Sequence, residues 1–569
     1  MAERNLSETA WRWLSAGVLV LTAILYFARL GARALWASEF RWAEISREML
    51  LTHDYFWPTI NGRVYFDKPL GSYWLVIAST WITGRMDEAA ARIPCAIAGL
   101  LAVALLIALA RHLYDLETGV IAGFILATSF SFVFWSRNSS ADVETIAGEL
   151  AVLLIFLKNE QRPGPWVVPM WLVMALTSLM KGLLGFVLPL IVIGVYACLA
   201  EGWAEFARQL LNGPVAARLR WLIDRNRWFF NWYTPLAIVL AAIVYYAPFA
   251  ISHARTGSEK GIYMVYRENV ERYFSPFDHR GPIYLYVYVI FALMAPWSAF
   301  LPAALVNAYR NLRRVGDTRQ SDRFVQAFFW ATFVFFTLSG SRRSYYVLPI
   351  LPAGAILVAR IFHEKRCNLD DLTSLLMKIG YGVIVAGVAV AVVIFMPPRW
   401  VLPGAYASLP PAPDRAVFAA CWLGSAIAIA YALLDYRNRR VLLSVCAISY
   451  FFMFYIFVFA IPAGDQWRGE RPFADRIRQI IDGNSGALAS YKAQPPVFYL
   501  GLDQPVPQYD RLAQLDTAVA QGSVKWIVVR QRDLDSLNLP THVAAREAVY
   551  PWDPREHRLN AMVLLAVTR

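Results

Sequence analysis

The sequence predicts a polytopic α-helical membrane protein of about thirteen transmembrane helices with a small α/β domain at its C-terminal end. Three observations predict it. Apolar residues make up 58% of the 569-residue chain and charged residues only 17%, whereas soluble domains run near one quarter charged. The apolar residues fall in blocks close to the roughly 20 residues a helix needs to cross a bilayer. Those blocks stop near residue 460, and the rest of the chain patterns like a soluble domain. A mean hydropathy of +0.42 excludes a disordered chain and makes an ordinary soluble enzyme a poor fit. Cys95, Cys198, Cys367, Cys421 and Cys446 lie in or beside apolar blocks without paired spacing. They read as small buried apolar residues, not as a disulfide framework or a zinc site.

In chain order the blocks are 11–31, 90–110, 118–136, 142–157, 166–180, 183–200, 234–251, 283–306, 324–339, 346–362, 377–396, 415–434 and 442–461. The first is too long for a signal peptide and no small-residue cleavage site follows it, so it is expected to stay as a span. Basic residues set the orientation. With the N-terminus inside, the cytoplasmic loops hold Arg218, Arg220, Arg225 and Arg227, then Arg310, Arg313, Arg314, Arg319 and Arg323. Lys365 and Arg366, then Arg437, Arg439 and Arg440, follow on the same side. These account for much of the net charge of +13, so nucleic-acid binding is not needed to explain it. Thirteen spans leave the C-terminus outside.

The domains expected are 1–462, a transmembrane domain with long outer loops at 32–89 and 252–282, and 463–569, a soluble α/β domain on the outer face. Segments 487–491, 496–500 and 524–530 read as short buried strands. Residues 472–482 read as an amphipathic helix with Phe473, Ile477 and Ile480–Ile481 on one face.

Chemistry gathers in the outer loops. In 38–50, Trp42, Ile45 and Met49 recur at helical spacing among Glu39, Arg41, Glu44, Arg47 and Glu48, which describes a short helix lying in the membrane interface; solvated ion pairs are the plainer reading of its charges. Tyr65, Asp67 and Lys68 stand just before Pro69 at the lip of an aromatic segment. Lys68 suits an anionic headgroup, or simple snorkelling. Asp142 opens the fourth block and is either functional or a helix N-cap. Lys181 lies between the fifth and sixth blocks, where solvent contact would explain it. The loop 252–282 adds Arg267, Glu268, Arg272, His279 and Arg280, and Arg342, Arg343, Tyr345 and Tyr346 stand at the mouth of the tenth block. Jointly they suit an anionic lipid-linked substrate, since Arg and Lys hold phosphate and aromatic rings stack on sugars. No Walker loop or GxGxxG follows a strand, and no cofactor is required. Glu39, Glu44, His53, Asp67 and His279 leave a divalent metal open, without a spacing that argues for one.

The run S-E-F-R-W-A-E-I-S-R-E-M-L at 38–50, then N-G-x-x-Y-F-D-K-P-L-G-S-Y-W at 61–74, strongly resembles bacterial aminoarabinose transferases. These belong with the protein mannosyltransferases in a class of membrane-embedded glycosyltransferases of the GT-C type. M-K-G at 180–182, E-N-V-E-R-Y at 268–273, A-P-W at 295–297 and S-R-R-S-Y-Y-V-L-P at 341–349 support the match, with Asp142. The resemblance implies an inner-membrane enzyme, with the soluble domain in the periplasm. It implies a sugar, 4-amino-4-deoxy-L-arabinose in the best-known members, carried on undecaprenyl phosphate and passed to phosphates of lipid A. Carried over by motif, Arg41, Tyr65, Lys68, Lys181, Arg272 and Tyr346 would surround the donor phosphate, with Asp67 and Glu39 completing the site. Arg342 is expected to help neutralise the leaving phosphate.

One departure matters. The family usually has Asp-Glu where this chain has Ser38-Glu39, and that Asp is the favoured general base or acceptor-orienting carboxylate. Either Glu39 or Asp142 then serves as base, or the acceptor needs none. A phosphate monoester, with a second pKa near about 6, is already an anion at neutral pH, whereas a hydroxyl must lose its proton during attack. Ser38 therefore leans toward a phosphate acceptor, or toward a relative that has lost activity. Transfer of another polyprenyl-linked sugar to protein or glycan is an alternative. So is a lipid-linked-sugar flippase, although the ionisable residues gather at one interface and no broken inverted repeats are evident.

Overall fold

The computed structural model describes residues 7–36, 38–199, 208, 214–313, 319–363, 371–395, 414–465, 470–481, 485–534, 543–549 and 562–567. Arg314, Lys365, Arg366 and Cys367, and the last residues of the blocks 183–200 and 377–396, lie outside them. The chain divides into two compact units. A helical unit comprises Met1–Ala28, Asp67–Ser72 and Ile93–Phe459, and an α/β unit comprises Arg29–Phe66, Tyr73–Arg92 and Ala460–Arg569.

Each apolar block carries helix. Among the described residues, six helices are long and apolar enough by themselves to cross a membrane: Glu8–Phe27, Glu88–Leu113, Tyr233–Thr256, Asp371–Ala391, Arg415–Leu434 and Asn438–Ala463. A seventh span arises if Leu116–Ala127 and Phe130–Ser136, bent by 69°, are counted together. The bend falls at Thr128 and Ser129, whose hydroxyls donate to the carbonyls of Phe124 and Ile125 and compete with the helix ladder. Val167–Lys181, Leu184–Cys198 and Leu348–Ile361 are shorter apolar helices. Helix Asp142–Asn159 is long enough but carries Asp142, Glu144, Glu149 and Lys158.

Two kinds of face follow from this composition. In Tyr233–Thr256 an exposed stripe of Leu236, Val239, Ile243 and Tyr246 at helical spacing is fitted to lipid. Buried faces use small residues to bring backbones close: a Cβ at Gly148 would collide with Thr177 of the neighbouring helix. Arg137 is buried and donates to the carbonyls of Leu25, Tyr26, Ala28 and Phe457. It supplies donors that the C-terminal end of the first helix otherwise lacks.

In the α/β unit a five-stranded sheet is built from β3 (Leu488–Tyr491), β4 (Gln508–Tyr509), β5 (Trp526–Arg530), β6 (Val543–Val549) and β7 (Met562–Val567), after a small hairpin of β1 (Thr59–Ile60) and β2 (Arg63–Val64). The order is β4-β3-β5-β7-β6. β3 runs parallel to β4 and β5, while β7 runs antiparallel to β5 and β6. Period-two alternation gives each face its own helix. Leu488, Val528 and Leu564 pack on Phe473, Ile477 and Ile481 of helix Glu470–Ile481. Ala489, Ile527, Val529, Val563 and Leu565 pack on Leu515 and Ala518 of helix Leu512–Ala520.

The strands read at 487–491 and 524–530 and the helix at 472–482 are present, but 496–500 is a helical turn, Val497–Leu500. It follows Pro495-Pro496, which remove ladder donors and suit a helix start.

The first long loop is where expectation and structure part most. Helix Glu39–Thr52 does not keep its apolar face for lipid: Trp42, Ala43, Ile45 and Met49 are buried. Ala43 packs with Leu35, Val76, Ala91 and Phe498, and Phe40 lies against the sheet's core. The hairpin turns at Asn61-Gly62, both with positive φ, as a two-residue turn requires. Asn61 then exchanges two 2.7 Å hydrogen bonds with the backbone of Val506. The C-terminal domain is thus clamped to this loop within one unit.

Candidate active site

Three sequence motifs converge inside the helical unit. Gly71 of D-K-P-L-G packs so tightly on M-K-G that a Cβ would lie 2.8 Å from the Leu179 carbonyl oxygen. Gly182, at φ +99°, turns its backbone under Asn269, whose Oδ1 accepts from Leu183 N at 2.8 Å. Asn269 is held in turn by an Nδ2 hydrogen bond to Val265 O. It lies in a π-helical turn, Arg267–Glu271, between helices Lys260–Tyr266 and Arg272–Phe274. Such turns insert one residue and re-aim side chains, and they are frequent at functional sites.

That turn presents Glu268 and Arg272 to Lys68. The Lys68 ammonium donates to Glu268 Oε2 at 3.1 Å and to Asp67 O at 2.8 Å. Arg272 reaches the same Glu268 oxygen at 2.7 Å and Asp278 Oδ2 at 3.0 Å, and His279 Nε2 lies 3.1 Å from Asp278. Arg267 pairs loosely with Asp67 at 3.8 Å. Both guanidiniums lie over the Phe277 ring, at 4.5 and 4.9 Å. Burial pulls the Lys68 pKa down; Glu268 opposes this and Arg272 adds to it. Arg272 Nε is buried and has no hydrogen-bond partner among the described residues.

Beside this network stands a second pair. Lys181, at the end of helix Val167–Lys181, binds Asp142, the first residue of Asp142–Asn159. Its ammonium lies 5.9 and 5.7 Å from the rings of Tyr345 and Tyr346. Tyr346 is within electrostatic reach of Arg272 and Asp278, which links the two groups.

Several expectations need correction. Asp142 is not an N-cap: Ala141 holds that position, and the Asp142 carboxylate is spent on Lys181. Lys181 is accordingly not left to solvent. Arg342 gives its guanidinium to the carbonyls of Thr337 and Gly281. It thereby secures the 275–282 loop, while Arg343 beside it is exposed. A-P-W is structural as well, Trp297 being fully buried with its indole N–H on Thr128.

Glu39, Arg41 and Tyr65 fall in the α/β unit. Arg41 stacks 5.7 Å over the Tyr65 ring. Glu39 is 3% exposed and accepts from Arg92 Nε at 2.7 Å, Arg92 Nη2 at 3.0 Å, Arg33 Nη2 at 2.6 Å and Trp36 N at 3.0 Å. Its surroundings give no support to a base: both oxygens are held by cations. Ser38 forms no capping hydrogen bond. Glu44 is buried beside Arg47, and loss of water pushes its carboxyl up to about 7 against the pull of that guanidinium. Among the described residues no three His, Cys, Asp or Glu side chains group as metal ligands.

Sequence reasoning missed Arg92, Asp278 and, as a tether, Asn269; it named Glu268 and Tyr345 but did not carry them into the site. E-N-V-E-R-Y signalled the segment; the π-turn that aims it had no sequence signal.

Residues 67–217 match the family model described as dolichyl-phosphate-mannose-protein mannosyltransferase. Over 378 residues the chain is 28% identical to an undecaprenyl phosphate-alpha-4-amino-4-deoxy-L-arabinose arabinosyl transferase of Edwardsiella ictaluri, covering 65% of this chain and 63% of that one. A protein of the same name from Serratia proteamaculans is 27% identical over 351 residues, covering 60% and 57%. The aligned part therefore spans about three fifths of those relatives' length. The crystal structure of ArnT from Cupriavidus metallidurans bound to undecaprenyl phosphate superimposes with TM-score 0.71 at 21% identity over 98% of each chain. Its apo structure gives 0.65 at 20% identity. The resemblance to the aminoarabinose transferases is borne out, and the fold is that of the ArnT structure.

Proposed function

We propose that this chain, a GT-C membrane protein related to the aminoarabinose transferases, moves 4-amino-4-deoxy-L-arabinose from undecaprenyl phosphate to a phosphate of lipid A on the periplasmic face of the bacterial inner membrane. The topology that goes with it has thirteen spans, a cytoplasmic N-terminus and residues 463–569 outside. Its support is the helix in every apolar block and the run of basic residues in alternate loops.

The observation that carries the reading is the Lys68–Glu268–Arg272 network, with Lys181 and Tyr346 beside it and one guanidinium N–H unspent. A buried donor without a partner costs about 1–3 kcal/mol, and a phosphate oxygen would relieve that cost. Lys68, Arg267, Arg272 and Lys181 each face a carboxylate. An arriving donor phosphate exchanges with Glu268 and Asp278, which keep the cations aimed until then. Displacement at the anomeric carbon breaks the sugar–phosphate bond as the acceptor oxygen attacks from the opposite face. Lys68 and Arg272 stabilise the charge growing on the departing phosphate, and preorganised donors matter most there. A lipid A phosphate attacks as an anion, so no strong base is needed where Ser38 stands. Asp142, released from Lys181 as the phosphate arrives, orients the acceptor.

The test is transfer by purified protein from labelled undecaprenyl-phosphate-linked sugar to lipid A. Lys68→Ala and Arg272→Ala should each lose about a hundredfold or more in turnover, the usual cost of deleting such a donor. Near-normal turnover in both removes the network from the chemistry.

A further inference from the structure

We infer a second anion site on the helical unit, at the opposite end of helix Asp142–Asn159 from the Asp142–Lys181 pair: a cleft that takes the headgroup of an anionic membrane phospholipid. The cleft measures about 560 Å³. Arg12, Arg111 and Lys158 line it together with Ile107, Ala108 and Leu116. Lys158 stands in the last turn of its helix, about 24 Å from Asp142 at 1.5 Å per residue.

The charge does not balance locally. Arg12 and Arg111 both bind one carboxylate, Glu8, at 2.9 and 3.3 Å. The Lys158 ammonium has no hydrogen bond or ion pair among the described residues. Helix C-termini attract single cations, which would explain Arg111 or Lys158 alone. That attraction does not explain an open cavity bringing them to Arg12 from the start of another helix.

The wall chooses between a soluble anion and a lipid. A free phosphate needs donors only, whereas this cleft backs its cations with the aliphatic surface of Ile107, Ala108 and Leu116. Basic pockets between transmembrane helices bind phosphate headgroups in this way. In the topology proposed above, these helix ends belong to the cytoplasmic leaflet. The inference does not rest on the transfer reaction, since none of its residues belongs to the site beside Lys68.

The probe is phosphatidylglycerol, with phosphatidylcholine as the uncharged control. Full-length protein is placed in nanodiscs of either composition and its unfolding midpoint followed, and lipids retained in mild detergent are counted by native mass spectrometry. Phosphatidylglycerol should raise the midpoint of the native protein. An Arg111→Gln/Lys158→Gln variant should bind it about thirtyfold more weakly, at the usual contribution per basic residue. Ala108→Phe fills the cleft while leaving every cation, and should also lose retention; it keeps the test meaningful if the double variant folds poorly. Equal retention in native protein and Ala108→Phe overturns the inference. So does an equal midpoint shift from inorganic phosphate, which would make the site one for a soluble anion.

Discussion

Replacing Glu39 by Gln separates a structural carboxylate from a catalytic one. Glu39 takes four N–H donors, three of them from Arg92 and Arg33. Its side chain and that of Arg92 are 3% and 1% exposed. Gln keeps the volume, but offers one acceptor oxygen and turns an NH₂ toward a guanidinium. Removing one partner of a buried ion pair costs about 3–5 kcal/mol. Arg92 would keep its bonds to the carbonyls of Leu30, Arg33 and Ala34, so the lower end, about 3 kcal/mol, is expected. The assay is chemical unfolding in detergent followed by tryptophan fluorescence, paired with turnover per folded molecule. Glu39→Gln should lose stability and keep turnover within a few-fold once corrected for the folded fraction. Native stability with turnover down by two orders of magnitude would show that Glu39 acts on the substrate and that its pairing has been misread.

Other outcomes follow from the same geometry. Gly71→Ala places a methyl group against the Leu179 carbonyl and should cost about 1–3 kcal/mol while weakening donor binding, read as a raised KM. Lys68, its pKa lowered by burial, should lose its proton at lower pH than a free lysine. Donor affinity should therefore fall on the alkaline side earlier than expected for lysine, and Lys68→Arg should remove that limb of the KM profile. In the α/β unit Glu44 is raised to about 7 and Asp465 and Glu470 are raised as well. A carboxyl raised by folding holds its proton in the native state, so stability is full at acid pH and falls as pH climbs from the ordinary carboxylate range through about 7. Unfolding midpoints measured from pH 5 to 8 should decline, and Glu44→Gln should flatten the decline.

The helices were legible because lipid imposes a long, unbroken apolar requirement that composition alone reveals. Less could be read where two elements compete for one pattern. The apolar spacing of Trp42, Ile45 and Met49 describes a helix face but not what covers it; here Trp42 lies against Tyr73 while Ala43 of the same helix packs on Phe498, and a linear sequence does not show those pairings. Val497–Leu500 is apolar enough for a strand, yet two prolines before it decide for a turn of helix. In the site, Asp67, Lys68, Lys181, Arg272 and Tyr346 stood out as ionisable or aromatic groups beside motifs. The pairing of Glu268 with them, and the tether Asn269, depend on a π-turn whose single extra residue leaves no mark on periodicity, and Asp278 comes from the loop beyond it. Arg342 and Arg343 are adjacent and chemically alike; only backbone geometry shows that the first is spent on carbonyls.

The most direct measurement is mass spectrometry of the lipid products when purified protein meets undecaprenyl-phosphate-linked 4-amino-4-deoxy-L-arabinose and lipid A. Lipid A gaining one aminoarabinose, at a rate that collapses in Lys68→Ala, is the predicted result. Unmodified lipid A, with the donor merely moved across proteoliposome membranes, would contradict it and leave a transporter in place of a transferase.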